Sequence, residues 1–172
     1  MQPSAPPHRT PATPAQLAAV DAVVARLKDL PGALLPILHG IQEQLGFVPT
    51  DGLERIALGL NLSRAEVHGV LTFYHDFRTA PPGDTVVKLC RAEACQATGC
   101  RALEAHLLER HGLPMGSTSK DGAVTLEPVY CLGNCALGPS ALVDGQLHAR
   151  LSPRKLDAIV AASKQKKSGG RA

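Results

Sequence analysis

The apolar residues of this chain keep a helical spacing up to about residue 80 and a strand-like spacing after it. That change of period decides the architecture, because a helix buries every third or fourth residue and a half-buried strand every second. Ahead of the change, Thr13, Pro14 and Gln16 predict a capped helix start, with Gln16 at the capping-box position. Leu17, Val20, Val24 and Leu27 fall on one face, and Pro31 with Gly32 stops that helix. Leu34, Ile37, Leu38, Ile41 and Leu45 form a second stripe, closed by Gly46. Thr50 is expected to cap a third helix carrying Leu53, Ile56, Ala57 and Leu60. Ser63 and Glu66 predict a capping box for a fourth, with Val67, Val70, Leu71 and Tyr74 facing inward. Four short helices on short loops predict a small helical bundle over residues 14–80.

Residues 78–84 (RTAPPGD) read as a boundary loop. Beyond it, residues 85–89 are β-branched and predict a strand. Residues 96–111 predict one helix through Ala97, Cys100, Leu103 and Leu107, ended by Gly112, and residues 113–122 a turn-rich loop. Residues 123–130 predict a second strand. Residues 141–143, the turn Asp144-Gly145 and residues 146–151 predict a hairpin with a two-residue loop. Ser152-Pro153 opens a final helix with Leu156, Ile159 and Val160 inside. A strand–helix–strand crossover predicts parallel pairing of its two strands, and the hairpin adds antiparallel ones. The expected fold class is α+β: the bundle, then a small mixed α/β sheet over residues 84–163, of which thioredoxin-like folds are one kind.

The two ends read differently from the middle. Residues 1–14 contain five prolines and no apolar stretch of the kind a secretory signal needs, so residues 1–13 are expected to be a disordered leader and the protein cytoplasmic. Residues 164–172 hold Lys164, Lys166, Lys167 and Arg171 and no acid, and are expected to be a disordered basic tail. That tail carries more positive charge than the net +3 of the whole chain, so the remainder is close to neutral. With three Phe, two Tyr and no Trp, the chain has neither a basic face nor the stacking residues a nucleic-acid binder uses. No apolar run approaches the ~18 residues that span a bilayer, so no membrane insertion is expected.

Five cysteines cannot close into internal disulfides without a remainder, and in a reducing compartment clustered thiols more often bind metal. Four of them form two pairs, Cys90-x4-Cys95 and Cys131-x3-Cys135. Cys90 ends the first expected strand and Cys95 precedes the expected helix; Cys131 ends the second strand and Cys135 lies in the loop after it. Parallel neighbouring strands place both pairs on one sheet edge, about one strand spacing apart (~4.8 Å). Open α/β sheets usually place ligands at such strand ends. Four soft sulfur donors suit zinc or an iron–sulfur cluster, and spacing leaves both open. Gly133 and Gly138 allow backbone N–H groups close to the sulfurs, and a helix beginning near residue 96 would bring its positive end towards Cys95. Cys100 follows core spacing with Leu103 and Leu107 and reads as a small buried hydrophobe. No C-x-x-C occurs, no histidine sits in a recognisable catalytic motif, and neither a G-x-G-x-x-G nor a Walker A loop is present. No catalytic residues are therefore assigned, and a cluster without a substrate pocket implies electron relay.

The segment Val129-Tyr130-Cys131-Leu132-Gly133-Asn134-Cys135-Ala136-Leu137-Gly138-Pro139 resembles the second ligand loop of the small thioredoxin-like [2Fe–2S] ferredoxin subunit of respiratory NADH:quinone oxidoreductase. Leu89-Cys90-Arg91-Ala92-Glu93-Ala94-Cys95-Gln96 resembles the first loop as found in the gamma subunit of NAD-dependent formate dehydrogenases, and residues 62–77 (LSRAEVHGVLTFYHDF) are similar to the same group. The resemblance covers about residues 33–160. It implies one [2Fe–2S] cluster on Cys90, Cys95, Cys131 and Cys135, with Cys100 matching no ligand position. It also implies a flavoprotein partner carrying FMN, a [4Fe–4S] cluster and the NAD site and, in the formate enzymes, a molybdenum-containing catalytic subunit. The chain itself is then a non-catalytic electron-transfer subunit. Equivalent small subunits occur in the respiratory complex and in NAD-reducing hydrogenases, and a zinc-stabilised interaction module is the alternative of another class. Phe73, Tyr74 and Phe77 hold three of the five aromatics. They either close the bundle core or, with His75, dock the flavoprotein.

Overall fold

The computed structural model describes residues 11–169. The expectations for residues 1–10 and 170–172 lie outside the described residues. Two compact units divide between Pro81 and Pro82.

The first unit is helical: α1 (Pro14–Leu27), α2 (Leu34–Leu45), a 3-10 turn (Thr50–Gly52), α3 (Leu53–Leu60) and α4 (Arg64–Phe73). Two helix starts are fixed by reciprocal caps. The Gln16 amide donates to Thr13 Oγ1 at 3.2 Å and the Thr13 amide to Gln16 Oε1 at 2.9 Å. Ser63 and Glu66 repeat the arrangement at 3.2 and 2.8 Å, so both boxes satisfy amides that a bare helix start would leave open. Gly46, at φ 82°, closes α2 in the left-handed conformation. Thr50 does not cap α3. It begins the 3-10 turn, and Gly52 stands at the helix start with no side-chain cap bond.

Val20, Val23, Ile37, Leu38, Ile41, Leu53, Ile56, Val67 and Leu71 form the core of this unit. Val23 joins a stripe that the sequence pattern draws through Leu17, Val20, Val24 and Leu27, since the buried face of α1 is wider than one row. Tyr74 does not point inward as the periodicity of α4 projects. The helix ends at Phe73, Tyr74 adopts extended angles (φ −88°, ψ 102°), and its side chain is partly exposed. Phe77 takes the inward place after a turn in which its amide donates to the Tyr74 carbonyl at 3.1 Å. Its ring sits in the core against His39, with centroids 4.9 Å apart.

The second unit is a five-stranded mixed sheet in the order β2-β3-β1-β4-β5 with three helices. Its elements are β1 (Thr85–Cys90), α5 (Glu93–Ala97), α6 (Cys100–His111), β2 (Ser117–Thr118), β3 (Val124–Val129), β4 (Ala141–Val143), β5 (Gln146–His148) and α7 (Pro153–Gly169). β1 and β3 are parallel, from Thr85 opposite Val124 to Cys90 opposite Val129. β4 and β5 form the expected hairpin, with Asp144 (φ 48°) and Gly145 (φ 83°) both left-handed, as a two-residue turn of this hand requires. Val87, Leu89, Leu103, Leu107, Leu126 and Leu156 lie in its core.

Three expectations are corrected here. The single helix over residues 96–111 is two helices, because Gly99 at φ 103° breaks the chain between α5 and α6. Ala97 is consequently exposed, while Cys100, Leu103 and Leu107 are buried. The turn-rich loop contains β2, which pairs antiparallel with β3. The basic segment expected as a tail from residue 164 instead continues α7 to Gly169. Two of its lysines pair with the body of the unit, Lys164 with Asp121 at 3.9 Å and Lys166 with Asp144 at 3.4 Å. No helix among the described residues is long and apolar enough to cross a membrane.

Candidate metal centre

The parallel register of β1 and β3 carries Cys90 and the residues leading to Cys131 to the same edge of the sheet. Two backbone bonds hold the loops that follow. The Arg91 amide donates to the Val129 carbonyl at 2.8 Å, and the Cys90 amide to the Ser140 carbonyl at 3.0 Å. Buried Ser140 also accepts a bond from Asn134 Nδ2 at 3.0 Å, tying the Cys131–Cys135 loop to its own end. Nothing in the sequence pattern singles out Ser140, since its part is played mostly through the backbone.

All five cysteines are free thiols. Cys90 and Cys95 are buried; Cys131 and Cys135 are exposed. The thiols of each pair reach one another: Cys95 donates to Cys90, and Cys135 donates to Cys131. Burial pushes the Cys90 thiol up, but backbone hydrogen bonds from Ala92, Cys131 and Leu132 and the Cys95 thiol outweigh it, so Cys90 titrates below an ordinary thiol. Burial and the bond to Cys90 hold Cys95 above the ordinary value, and the bond to Cys131 does the same for Cys135. The charge of Cys90 also raises the Cys135 thiol, so the two pairs lie within electrostatic reach of each other.

The backbone is shaped around these sulfurs. Cys131 adopts φ 85°, a left-handed conformation that costs an L-residue of order 1–3 kcal/mol and concentrates at functional sites. Gly133 is also left-handed (φ 73°), and its amide donates to Cys131 Sγ at 3.5 Å. Gly138 answers a close approach: a Cβ there would stand 2.8 Å from Thr98 Oγ1 and 3.5 Å from Cys95 Sγ.

One sequence expectation about this edge changes. Cys95 lies within α5 rather than before a helix, so no long helix aims its positive end at the thiol. Arg91 pairs with Glu104 at 2.7 Å, and Arg101 donates to Gln96 at 2.6 Å. Cys100 is fully buried and packs on Cys90 and Cys95; burial first, then the charges of Glu104 and Cys90, raise its thiol and keep it neutral. Of the proposed docking residues, Phe73 is 73% exposed and Tyr74 and His75 are also exposed, whereas Phe77 at 8% is a packing residue of the bundle.

A single tetrahedral zinc ion at about 2.3 Å from each sulfur draws its ligands to within ~3.8 Å of one another. Among the described residues, the one group of three or more such ligand atoms all within 4.8 Å is His106, His111 and Asp157; the cysteine sulfurs form no such group. An all-sulfur donor set in two pairs suits an iron–sulfur cluster or zinc.

A family model described as thioredoxin-like [2Fe–2S] ferredoxin matches residues 20–164. The E 2 subunit of the NADH-quinone oxidoreductase of Rhizobium meliloti (strain 1021) is 36% identical over 141 residues, covering 82% of this chain and 84% of that protein. The corresponding E subunit of Escherichia coli (strain K12) is 31% identical over 146 residues, covering 85% and 88%. The NADP-reducing hydrogenase subunit HndA of Solidesulfovibrio fructosivorans is 28% identical over 142 residues, covering 81% and 83%. Among solved structures, an NAD+-reducing [NiFe]-hydrogenase in the air-oxidized state superposes with a TM-score of 0.67 over 82% of this chain and 24% of that chain. At 24% identity that likeness is one of fold.

Proposed function

Because the chain belongs to the family of thioredoxin-like [2Fe–2S] ferredoxins, we propose that Cys90, Cys95, Cys131 and Cys135 hold its cluster and that it serves as an electron-transfer subunit beside an NADH-linked flavoprotein. The observation that carries this reading is the meeting of two cysteine pairs, one buried and one exposed, at the end of two parallel strands. When bound, the cluster supplies one-electron exchange, which a flavin partner needs to connect hydride chemistry to single-electron carriers.

The protein's own residues set the conditions. Cys90, Cys95 and the neutral Cys100 form the dry side of the site, packed against Ala92, Val129 and Leu132. The Gly133 amide supplies a hydrogen bond to Cys131 Sγ, and the backbone bonds reaching Cys90 favour its thiolate form. Cys131 and Cys135 form the open side, next to Tyr130, which is 70% exposed, and the partly exposed Leu137. Electrons are proposed to pass on this open side, where a partner comes closest.

The parent complex is proposed to be an NAD-dependent formate dehydrogenase, with this chain as its gamma subunit. The resemblance of residues 89–96 and 62–77 supports that choice. The similarity to HndA supports a hydrogenase complex, and the relatives from Rhizobium meliloti and Escherichia coli support a quinone oxidoreductase. Co-purification of the tagged chain from its native source distinguishes them. The formate reading expects FMN and molybdenum in the complex; hydrogen-dependent reduction without molybdenum indicates a hydrogenase, and FMN with NADH-dependent quinone reduction and no molybdenum indicates a quinone reductase. Recovery of the chain without any flavoprotein contradicts the electron-transfer reading.

A further inference from the structure

The second half of α6 and the first turns of α7 bring two imidazoles onto one carboxylate. His106 Nε2 lies 2.8 Å and His111 Nε2 lies 2.6 Å from the same atom, Asp157 Oδ1. The two rings meet edge to face with centroids 6.0 Å apart. All three side chains are partly buried, and their ligand atoms lie within 4.8 Å of one another. Arg110 Nε stands 3.3 Å from the other oxygen, Asp157 Oδ2.

We propose that His106 Nε2, His111 Nε2 and Asp157 Oδ1 form a binding site for a divalent zinc-type metal ion, separate from the cysteine edge. Two neutral imidazoles and one carboxylate are a borderline donor set, suited to zinc and its neighbours rather than to calcium or magnesium. The two Nε2 atoms already converge on one carboxylate oxygen, Asp157 Oδ1. Both Nε2 atoms stand at hydrogen-bond distance from Asp157 Oδ1, so metal binding replaces those hydrogen bonds and leaves each imidazole with its proton on Nδ1 and its Nε2 lone pair on the ion. Arg110 occupies Oδ2 and so turns Oδ1 towards the imidazoles, the orienting part that outer partners play at metal sites. The site also lies at the C-terminal, electronegative end of the twelve-residue helix α6, which favours a cation. Three protein ligands leave a fourth position for water. An ion there clips α6 to α7 across 46 residues of chain.

The test uses the full chain with its iron in place and without a histidine tag. It is dialysed to equilibrium against zinc near neutral pH, then assayed for zinc, iron and thermal midpoint. The expected result is one zinc per chain, unchanged iron and a raised midpoint. Asp157→Asn and the double variant His106→Gln/His111→Gln are expected to keep their iron and helicity and lose that zinc. His106→Gln alone, at a partly exposed position, gives the same readout if either of the others folds poorly. Wild-type protein that takes up no zinc, or variants that bind it as wild type does, overturns the proposal and leaves the cluster as an ion-pair network only.

Discussion

Cys90 stands opposite Val129 in the parallel register of β1 and β3, and only Tyr130 separates Val129 from Cys131. One backbone pairing therefore brings two cysteine loops from distant parts of the chain to one edge, at about the ~4.8 Å spacing of neighbouring strands. The register, more than either loop alone, builds the candidate centre. The first prediction separates its four proposed ligands from the fifth thiol. Cys131→Ala is expected to give a colourless protein without iron. Cys100→Ala is expected to stay coloured and lose about 1 kcal/mol of stability, since it removes only a small buried side chain. Visible absorption, iron content and denaturant unfolding read both outcomes.

Gly138 tests how tightly the edge is built. Its φ of −65° suits any residue, so the constraint is one of space. Gly138→Ala places a methyl group against Thr98 Oγ1 and beside Cys95 Sγ. The expected cost is about 1–3 kcal/mol, with faster loss of iron under chelator challenge. Adding Thr98→Ala removes the nearest clash and is expected to restore most of both. A double variant no better than the single one places the cost elsewhere.

The capping box of α4 makes a pH-dependent contribution. Hydrogen bonds from the backbone and then the side chain of Ser63 hold Glu66 below the ordinary carboxylate range. A carboxylate lowered in the folded state stabilises fully above its unfolded value of about 4.3, and this is lost as pH falls through the folded value. Ser63→Ala is expected to cost about 1 kcal/mol near neutral pH. The difference from wild type is expected to narrow below about pH 4. Chemical denaturation at the two pH values measures it.

Phe73 and Phe77 are expected to part company. Phe77→Ala empties a core position and is expected to cost about 3–5 kcal/mol. Phe73→Ala, at a 73% exposed position, is expected to change stability by no more than about 0.5 kcal/mol. If the exposed Phe73, Tyr74 and His75 dock the flavoprotein, Phe73→Ala weakens capture of that partner with the fold intact. Unchanged capture removes Phe73 from the interface.

Much of this molecule was legible before any coordinates. The capped starts at Thr13 and Ser63, the stop at Gly46 and the Asp144-Gly145 hairpin are local, and local chemistry decides them. The parallel pairing followed from the crossover rule, and with it the placing of both cysteine loops at one sheet edge. What escaped depends on departures from periodicity or on contacts between distant segments. Gly99 breaks a helix whose apolar spacing runs on undisturbed, and Tyr74 leaves a helix whose stripe projects it inward. Lys164 and Lys166 look like a solvated tail until Asp121 and Asp144 arrive from elsewhere in the fold. The His106–His111–Asp157 group follows no spacing rule, because its carboxylate comes from another helix.

The most direct measurement of the central claim is metal and sulfide analysis of the anaerobically purified protein, with an EPR spectrum after reduction. The account predicts a reddish-brown protein with two irons and two labile sulfides per chain and a paramagnetic signal on one-electron reduction. The His106→Gln/His111→Gln variant should give the same result, so that zinc at the second site is not mistaken for occupancy of the first. A colourless protein holding zinc that this variant retains and that Cys131→Ala loses would contradict it.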